Sequence, residues 1–563
     1  MTLTQWFIFF LLIQIIHGLS TWKLYIKAGR QAWEAFVPVY NAVVLMQIIN
    51  RPKWWTILLF VPIINLIMFP VVWVETCRSF GKNTYLDTAL AVLSCGLYVA
   101  YLNYTQDLSH LKDRSIEPKS SSGEWTGSIL FAIVAATLVH TYFMQPFVIP
   151  TSSLEKTLLK GDFLLVSKFH YGARLPMTAV AAPMVHDTLP KFNVPSYLKK
   201  PQIPYLRIPG FQKIKRNDIV VFNWPADTLF NMYKKADKKY EKPIDKKTNY
   251  VKRCVGIAGD SLEVRDGYVF INGKQTVLPD RAKTQFYYTV ISKKYLTAKY
   301  LKEEIGTTEF NIYYKAPLKY KANFEKFVKV TSFPSDSTHI LAMFDHKMNI
   351  DNPEIRQTDR YSINMSVEEK EKLSKNPNVV SITRNILPKG TKGNGVIFPS
   401  SKDGIWNGDN FGPIYIPEAG KTVALNKQVL PLYKDIISEY EGNKLNTDGN
   451  DIYINGKIAT SYTFKQDYYW MMGDNRQNSL DARYWGYVPF DHVVGKPVFV
   501  WMSISGVELG LSNFKNWVFN KERIFTTVGG SGKPVSYLPY FLVVLLLWQG
   551  YKFYKKKKKA NEE

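Results

Sequence analysis

Serines and lysines crowd one stretch, "IPTSSLEKTLLKGDFLLVSK" (149–168), directly after a long apolar run. A serine hydroxyl is a poor nucleophile until a base removes its proton. Ser153 and Lys156 form an S-x-x-K pair, one arrangement in which a lysine does this. No histidine lies within the stretch, although His170 follows it by two residues. Two other regions are equally dense in reactive side chains. One comprises "KRNDIVVFNWP" (215–225) and "NYVKRCVGIAGDSLEV" (249–264), which carries Lys252. The other is "YYWMMGDNRQNSLDARYWGYVP" (468–489), with Ser479, Asp481 and Arg483.

A lysine can act as a base near neutral pH only if its usual pKa of ~10.4 is lowered, and burial against apolar groups does this by destabilising the ammonium. Lys252 sits between "NYV" and "CVGI", so a strand there gives it apolar neighbours. Lys156 and Lys160 are spaced like a solvated helix or turn face. Asp481 and Arg483 also fit an ordinary structural ion pair, a reading compatible with a place in a site.

Taken together, these segments resemble the type I signal peptidases, membrane-anchored serine proteases that remove leader peptides from exported proteins. "GDNRQNSLDARYWG" is the most specific element. The resemblance covers the anchor before Ser153, both halves of the sheet region and the C-terminal block. It leaves out residues 1–125, most of 275–465 and the tail. The segment lengths and "PTSSLEKTL" look most similar to Bacteroidetes members.

The resemblance implies Ser153 as nucleophile and Lys252 as base. It also implies Ser479 as the hydroxyl that orients the lysine, Asp481 and Arg483 as its support, and Thr151 with the Ser153 backbone N–H as the oxyanion hole. Ser152 stands where the family usually has glycine, and Leu154 and Lys156 where methionine and proline are common. The implied chemistry is acyl transfer without a metal or organic cofactor. The implied partners are signal-peptide-bearing preproteins, the lipid bilayer and the export machinery.

Three other readings compete. A penicillin-binding-type acyl enzyme would use Ser153 and Lys156, but "KTG" is absent and Pro150-Thr151 disfavours a helix starting upstream. A non-catalytic membrane scaffold would carry a broken serine–lysine set, and this set is intact. A histidine-dependent protease has no G-x-S-x-G to stand on, and His492 has no motif around it.

The elements that must position these residues fall into two classes. Residues 150–274 and 466–505 are short Val-, Ile-, Phe- and Tyr-rich runs bounded by Gly, Asp, Asn and Pro, which reads as antiparallel sheet. "YVFINGK" (268–274) and "DIYINGK" (451–457) each place Asn-Gly after a strand, a hairpin signal. Between them "SVEEKEKL" (366–373) reads as a helix capped by Ser366 with Glu369 three residues on. The fold class is therefore a mainly β exported domain with α-helical transmembrane segments at both ends.

Apolar runs near Thr4–Leu19, Trp54–Val74, Leu86–Leu102, Ile129–Val148 and Val535–Tyr551 approach the ~20 residues that a span requires. The first lacks a basic n-region and a small-x-small cleavage site, and reads as a retained span. Pro62 and Pro70 suggest kinks in the second. "FVPVYNAVVLMQII" (36–49) is short and expected at the interface. "LPMTAVAAPMV" (175–185) could dip into the lipid surface or form a plain buried hairpin.

The expected organisation is a polytopic region (1–105), a cytoplasmic linker (106–125) and an anchor (126–148). The catalytic domain follows in two parts (149–274 and 466–510) around an insertion (275–465). A C-terminal span (535–554) and a basic tail (555–563) complete the chain. The lysine and arginine asymmetry puts the N-terminus and residues 150–530 outside, and the 112–125 loop and tail inside. The expected location is the bacterial inner membrane, with the catalytic domain on the periplasmic side.

The net charge of +25 over 563 residues includes "KKKKK" (555–559) after an apolar segment, a juxtamembrane pattern. No zinc-finger spacing, RNP signature or basic recognition helix points to nucleic acid. Three cysteines without a C-x-x-C signal neither a metal site nor a disulfide framework.

Overall fold

The computed structural model describes residues 1–117, 120–230, 238–332, 336–392, 396–400, 405–507, 510 and 514–562. Pro118 and Lys119 of the expected linker and Glu563 of the tail lie outside the described residues.

Alternating Val, Ile and Phe residues build the main sheet around the reactive segments. Its strands lie in the order Met144–Val148, Asp162–Ser167, Val493–Ser505, Ile219–Asn223, Asn249–Gly256, Tyr468–Met472 and Val488–Pro489, and two short strands extend the long Val493–Ser505. All neighbours are antiparallel. Strands far apart in sequence thus become neighbours, with Lys252 opposite Val220 and Arg253 opposite Met472. A second sheet carries Phe411–Tyr415, Ser261–Arg265, Tyr268–Ile271 and Lys274–Gln275. Both Asn-Gly pairs are hairpin turns with positive φ at Asn272, Gly273, Asn455 and Gly456, the conformation that favours those residues.

Residues 286–384 form a separate six-stranded antiparallel sheet. It has its own core of Tyr288, Val290, Tyr361, Ile363 and Met365, joined by Phe286 and Leu373. The helix Val367–Ser374 is capped as its sequence suggests, Ser366 Oγ accepting from the Glu369 N–H.

The later part of the stretch expected as an insertion behaves differently. Phe398, Phe411, Ile414, Ile416 and Leu425 share one core with Phe222, Cys254 and Trp470. The strand Phe411–Tyr415 pairs with Ser261–Arg265. The separately packed unit is therefore narrower than 275–465, because this long-range pairing leaves no local pattern.

Two helices are long and apolar enough to cross a membrane among the described residues: Leu3–Lys27 and Ser121–Phe143. The other expected runs fold differently. Trp54–Val74 divides into Trp55–Leu58 and Asn65–Ser79, with Ile63 at positive φ beside Pro62 between them. Pro70 lies inside the second helix without ending it. Leu86–Leu102 becomes a pair, Tyr85–Leu93 and Leu97–Thr105, bent by 118°. Cys95 and Gly96 at the bend both have positive φ. The C-terminal run is helical over Leu538–Glu562, but Lys552 ends its apolar part after Tyr551. That part rises only about 20 Å against the ~30 Å of a hydrocarbon core. Residues 40–48, expected at the interface, form a helix whose Val44, Met46 and Ile48 are buried in the N-terminal core.

Candidate active site

The loop between the strands Met144–Val148 and Asp162–Ser167 carries Ser153. Leu154 and Leu158 anchor it by packing into a core with Ile149, Leu164, Ile219 and Val221. Tight turns close the loop, the Glu155 N–H donating to Ser152 O at 2.9 Å and the Leu158 N–H to Leu154 O at 2.7 Å. Ser153 is left buried yet reachable, 7% exposed. Thr151, two residues upstream, is exposed.

Lys252 lies mid-strand in Asn249–Gly256 and is buried. Its Nζ donates to Ser153 Oγ at 2.6 Å and lies 5.2 Å from the centre of the Tyr250 ring. Burial lowers its pKa to about 8, partly offset by the carboxylates of Asp481 and Asp474. The sequence-derived partners Ser153 and Lys252 are thus brought together.

Lys156 is turned to another task. Its Nζ pairs with Glu369 at 2.8 Å and donates to Gly306 O, both in the 286–384 unit. No histidine bonds Ser153 among the described residues; His170 bonds Ser167, and His492 bonds Asp491.

Asp481 and Arg483 form a fully buried two-pronged pair, Arg483 Nε to Oδ1 and a terminal guanidinium nitrogen to Oδ2, both at 2.8 Å. Asp481 Oδ2 also accepts from the Gly473 N–H at 3.1 Å. These contacts hold the Asp481 carboxyl below its usual range against the opposing effect of burial. The Ser479 hydroxyl is buried beside the Asp481 carboxylate, which it helps to hold in its charged form, and it has no bond to Lys252. Ser479 instead packs closely on Gly473. A Cβ at Gly473 would stand 2.3 Å from Ser479 Oγ and 2.5 Å from Ser153 O. Glycine is what lets the two reactive segments touch.

Sequence reasoning missed a second buried pair. Arg253, next to the candidate base, binds both oxygens of Asp474 at 2.7 and 2.6 Å, and the Thr157 hydroxyl adds a bond at 2.7 Å. Asn475 was missed too, although its N–H donates to Ser153 O at 3.1 Å. The adjacent "KR" and "GDN" in dense motifs were the available signal. Two residues past Ser153, burial and then Glu309 push the Glu155 carboxyl up to about 7.

The mostly antiparallel β domain that holds the serine–lysine contact falls within a class of peptidase. The chain belongs to the family described as signal peptidase, peptidase S26, which it matches over residues 122–340 and 416–502. It is a hydrolase, a serine peptidase. Residues 33–113 match a family of unknown function, DUF5684.

Among its relatives is the signal peptidase I of Buchnera aphidicola subsp. Baizongia pistaciae, 24% identical over 70% of this chain and 82% of that protein. Another is the signal peptidase I of Buchnera aphidicola subsp. Schizaphis graminum, 23% identical over 66% of this chain and 72% of that protein. The signal peptidase I of Rickettsia massiliae is 28% identical over 32% of this chain, which spans about half of that relative, 53%.

Proposed function

We propose that this protein is a membrane-bound serine endopeptidase that cleaves N-terminal signal peptides from exported preproteins, with Ser153 as nucleophile and Lys252 as general base. The observation that carries the reading is the 2.6 Å contact between Lys252 Nζ and Ser153 Oγ in a buried setting.

Neutral Lys252 accepts the Ser153 proton as Oγ attacks the scissile carbonyl. The resulting oxyanion is stabilised by the Ser153 N–H and the Thr151 hydroxyl. The Lys252 ammonium then protonates the departing amine, leaving an acyl-serine. Lys252 next takes a proton from water as it attacks the ester, and returns that proton to Ser153 Oγ when the acyl–oxygen bond breaks. Asp481 and Arg483 support the segment that packs against the loop, and Ser479 fills the space beside Gly473.

An extended leader peptide would add to an exposed strand edge, and Met144–Val148 is one of the two edge strands of the main sheet. Small side chains at the first and third positions before the cut follow from the family resemblance. So does association with the export machinery. A Bacteroidetes affinity rests on motif wording and segment lengths.

Contacts at the two ends of the first helix support the proposed topology. Near its start, Trp6 Nε1 donates to Gln202 O in the catalytic region at 3.0 Å. At its end, Lys27 pairs with Asp107 at 3.3 Å. Arg51, Arg78 and Arg114 converge on Glu75 at 2.7–3.3 Å, which fits Arg51 and Arg114 on one membrane face but sets Arg78 beside them rather than across the span expected at Trp54–Val74. The contact of Trp6 supports an N-terminus on the same side as the catalytic domain, and the proposed setting is a multi-pass protein of the inner membrane with both on the periplasmic side. In the segment that leads to Gln202, the exposed Met184, Phe192 and Leu198 suit lipid contact.

The penicillin-type reading would need Lys156 at Ser153, whereas Lys156 is paired with Glu369. The deciding experiment is leader-peptide cleavage by purified protein in detergent. Wild type should cleave at one bond and Ser153→Ala should not; an active Ser153→Ala would refute the proposal.

A further inference from the structure

The 286–384 unit meets the reactive loop through one carboxylate. Glu309 Oε2 accepts from the Nδ2 groups of three asparagines: Asn364 at 2.9 Å, Asn475 at 3.0 Å and Asn478 at 3.2 Å. Each of these amides spends its second hydrogen close to the site. Asn475 gives it to Ser152 O at 3.2 Å and Asn478 to Ser152 Oγ at 3.2 Å. Asn364 gives it to Asn475 Oδ1 at 2.8 Å. The three amides have six N–H groups, and all six are placed.

An ionised carboxylate can only accept hydrogen bonds, so it fixes which end of each amide faces it. Turning Asn475 over would set its oxygen against Glu309 and lose the bond to Ser152 O. Asn364 and Asn475 are almost fully buried, 1% and 0% exposed, so neither has water as a substitute partner. Glu309 and Asn364 are tied together through the Asn364 N–H and Glu309 O at 3.0 Å, which presents both side chains from one place.

We infer that Glu309 and Asn364, supplied by the inserted sheet, are positioning residues for the nucleophile. They orient Asn475 and Asn478, which in turn hold the Ser152–Ser153 backbone from which Oγ and the Ser153 N–H project. The inserted sheet is then a working part of the catalytic centre. The inference rests on Ser153 being the nucleophile.

The test compares full-length Glu309→Ala, Glu309→Gln and Asn364→Ala with wild type and Ser153→Ala, measuring kcat, KM and melting temperature in detergent. Small displacements of reacting groups cost up to ~10²-fold, so Glu309→Ala should lower kcat by about 10- to 100-fold with KM nearly unchanged. Glu309→Gln keeps an acceptor oxygen and should recover several-fold of that loss. Asn364→Ala, which removes one amide, should lose about 3- to 10-fold.

A kcat for Glu309→Ala within about twofold of wild type, beside an inert Ser153→Ala, would overturn the inference alone. So would equal kcat losses in the alanine and glutamine variants, or losses that merely track a fall in melting temperature. If Glu309→Ala does not fold, the Asn364→Ala result decides by the same criteria. Cleavage by Ser153→Ala would instead remove the nucleophile assignment beneath it.

Discussion

Lys252 Nζ reaches Ser153 Oγ at 2.6 Å although 99 positions separate the two residues in the chain. The sheet closes that distance, and the contact makes specific demands on each partner.

Ser153→Ala should abolish leader-peptide cleavage, while Ser152→Ala should retain a substantial part. Ser152 offers its hydroxyl to Asn478 and its carbonyl to Asn475, and alanine keeps the carbonyl. A dead Ser152→Ala and an active Ser153→Ala, measured on one substrate, would place the nucleophile one residue earlier.

Lys252→Met should lose ~10²–10⁴-fold in kcat, as expected for a missing general base. Lys156→Ala should cost less than about tenfold, since its amine is held by Glu369 and Gly306. Measuring both rates would expose the opposite ranking, which favours the S-x-x-K pair.

The rate should rise with pH along a limb centred near Lys252's pKa of about 8, because only the neutral amine accepts a proton. The same depressed value affects stability. The folded pKa lies below the unfolded ~10.4, so a penalty for charging Lys252 is fully present below about pH 8 and relieved between 8 and 10.4. Lys252→Met should therefore melt higher than wild type at pH 7, with the gap narrowing as the pH rises from about 8 to ~10.4. A gap that widened with pH would contradict the buried-amine account.

Gly473→Ala should reduce activity by at least ~10²-fold, since its Cβ would drive into Ser153 O and Ser479 Oγ. Adding Ser479→Ala should give little recovery, because the clash with the Ser153 carbonyl remains. Near-normal rates for Gly473→Ala would show that the two segments can separate without harm.

For topology, cysteine probes in a Cys95→Ser background should report sidedness, Cys77 and Cys254 being buried. An impermeant reagent should label Asp448→Cys from outside intact spheroplasts and leave Ser121→Cys unlabelled. Labelling of the Ser121 probe would reverse the linker's side.

Much of the site was legible because its chemistry is concentrated in short, unusual strings. Ser153 and Lys252 could be named from motif context, and the Asp481–Arg483 pair from its spacing of two residues. The hydroxyl of Ser479 was expected at the lysine, yet it packs against Gly473 beside the Asp481 carboxylate. Spacing conveys proximity but not the direction in which a side chain points. Glu309 and Asn364 were illegible for a different reason: Asn364 lies in a strand and Glu309 just before one, and the local pattern there describes only their own sheet. The apolar runs misled where positive φ at Ile63, Cys95 and Gly96 broke them, a backbone feature that hydropathy does not register.

The strand order also sets a timetable. Val493–Ser505 lies between Asp162–Ser167 and Ile219–Asn223, and Tyr468–Met472 flanks the strand that bears Lys252. A chain emerging from its N-terminus therefore holds both reactive residues long before the strands that bring them together have been made. By strand order alone, Ser153 and Lys252 cannot be held side by side until the last β segments have been made.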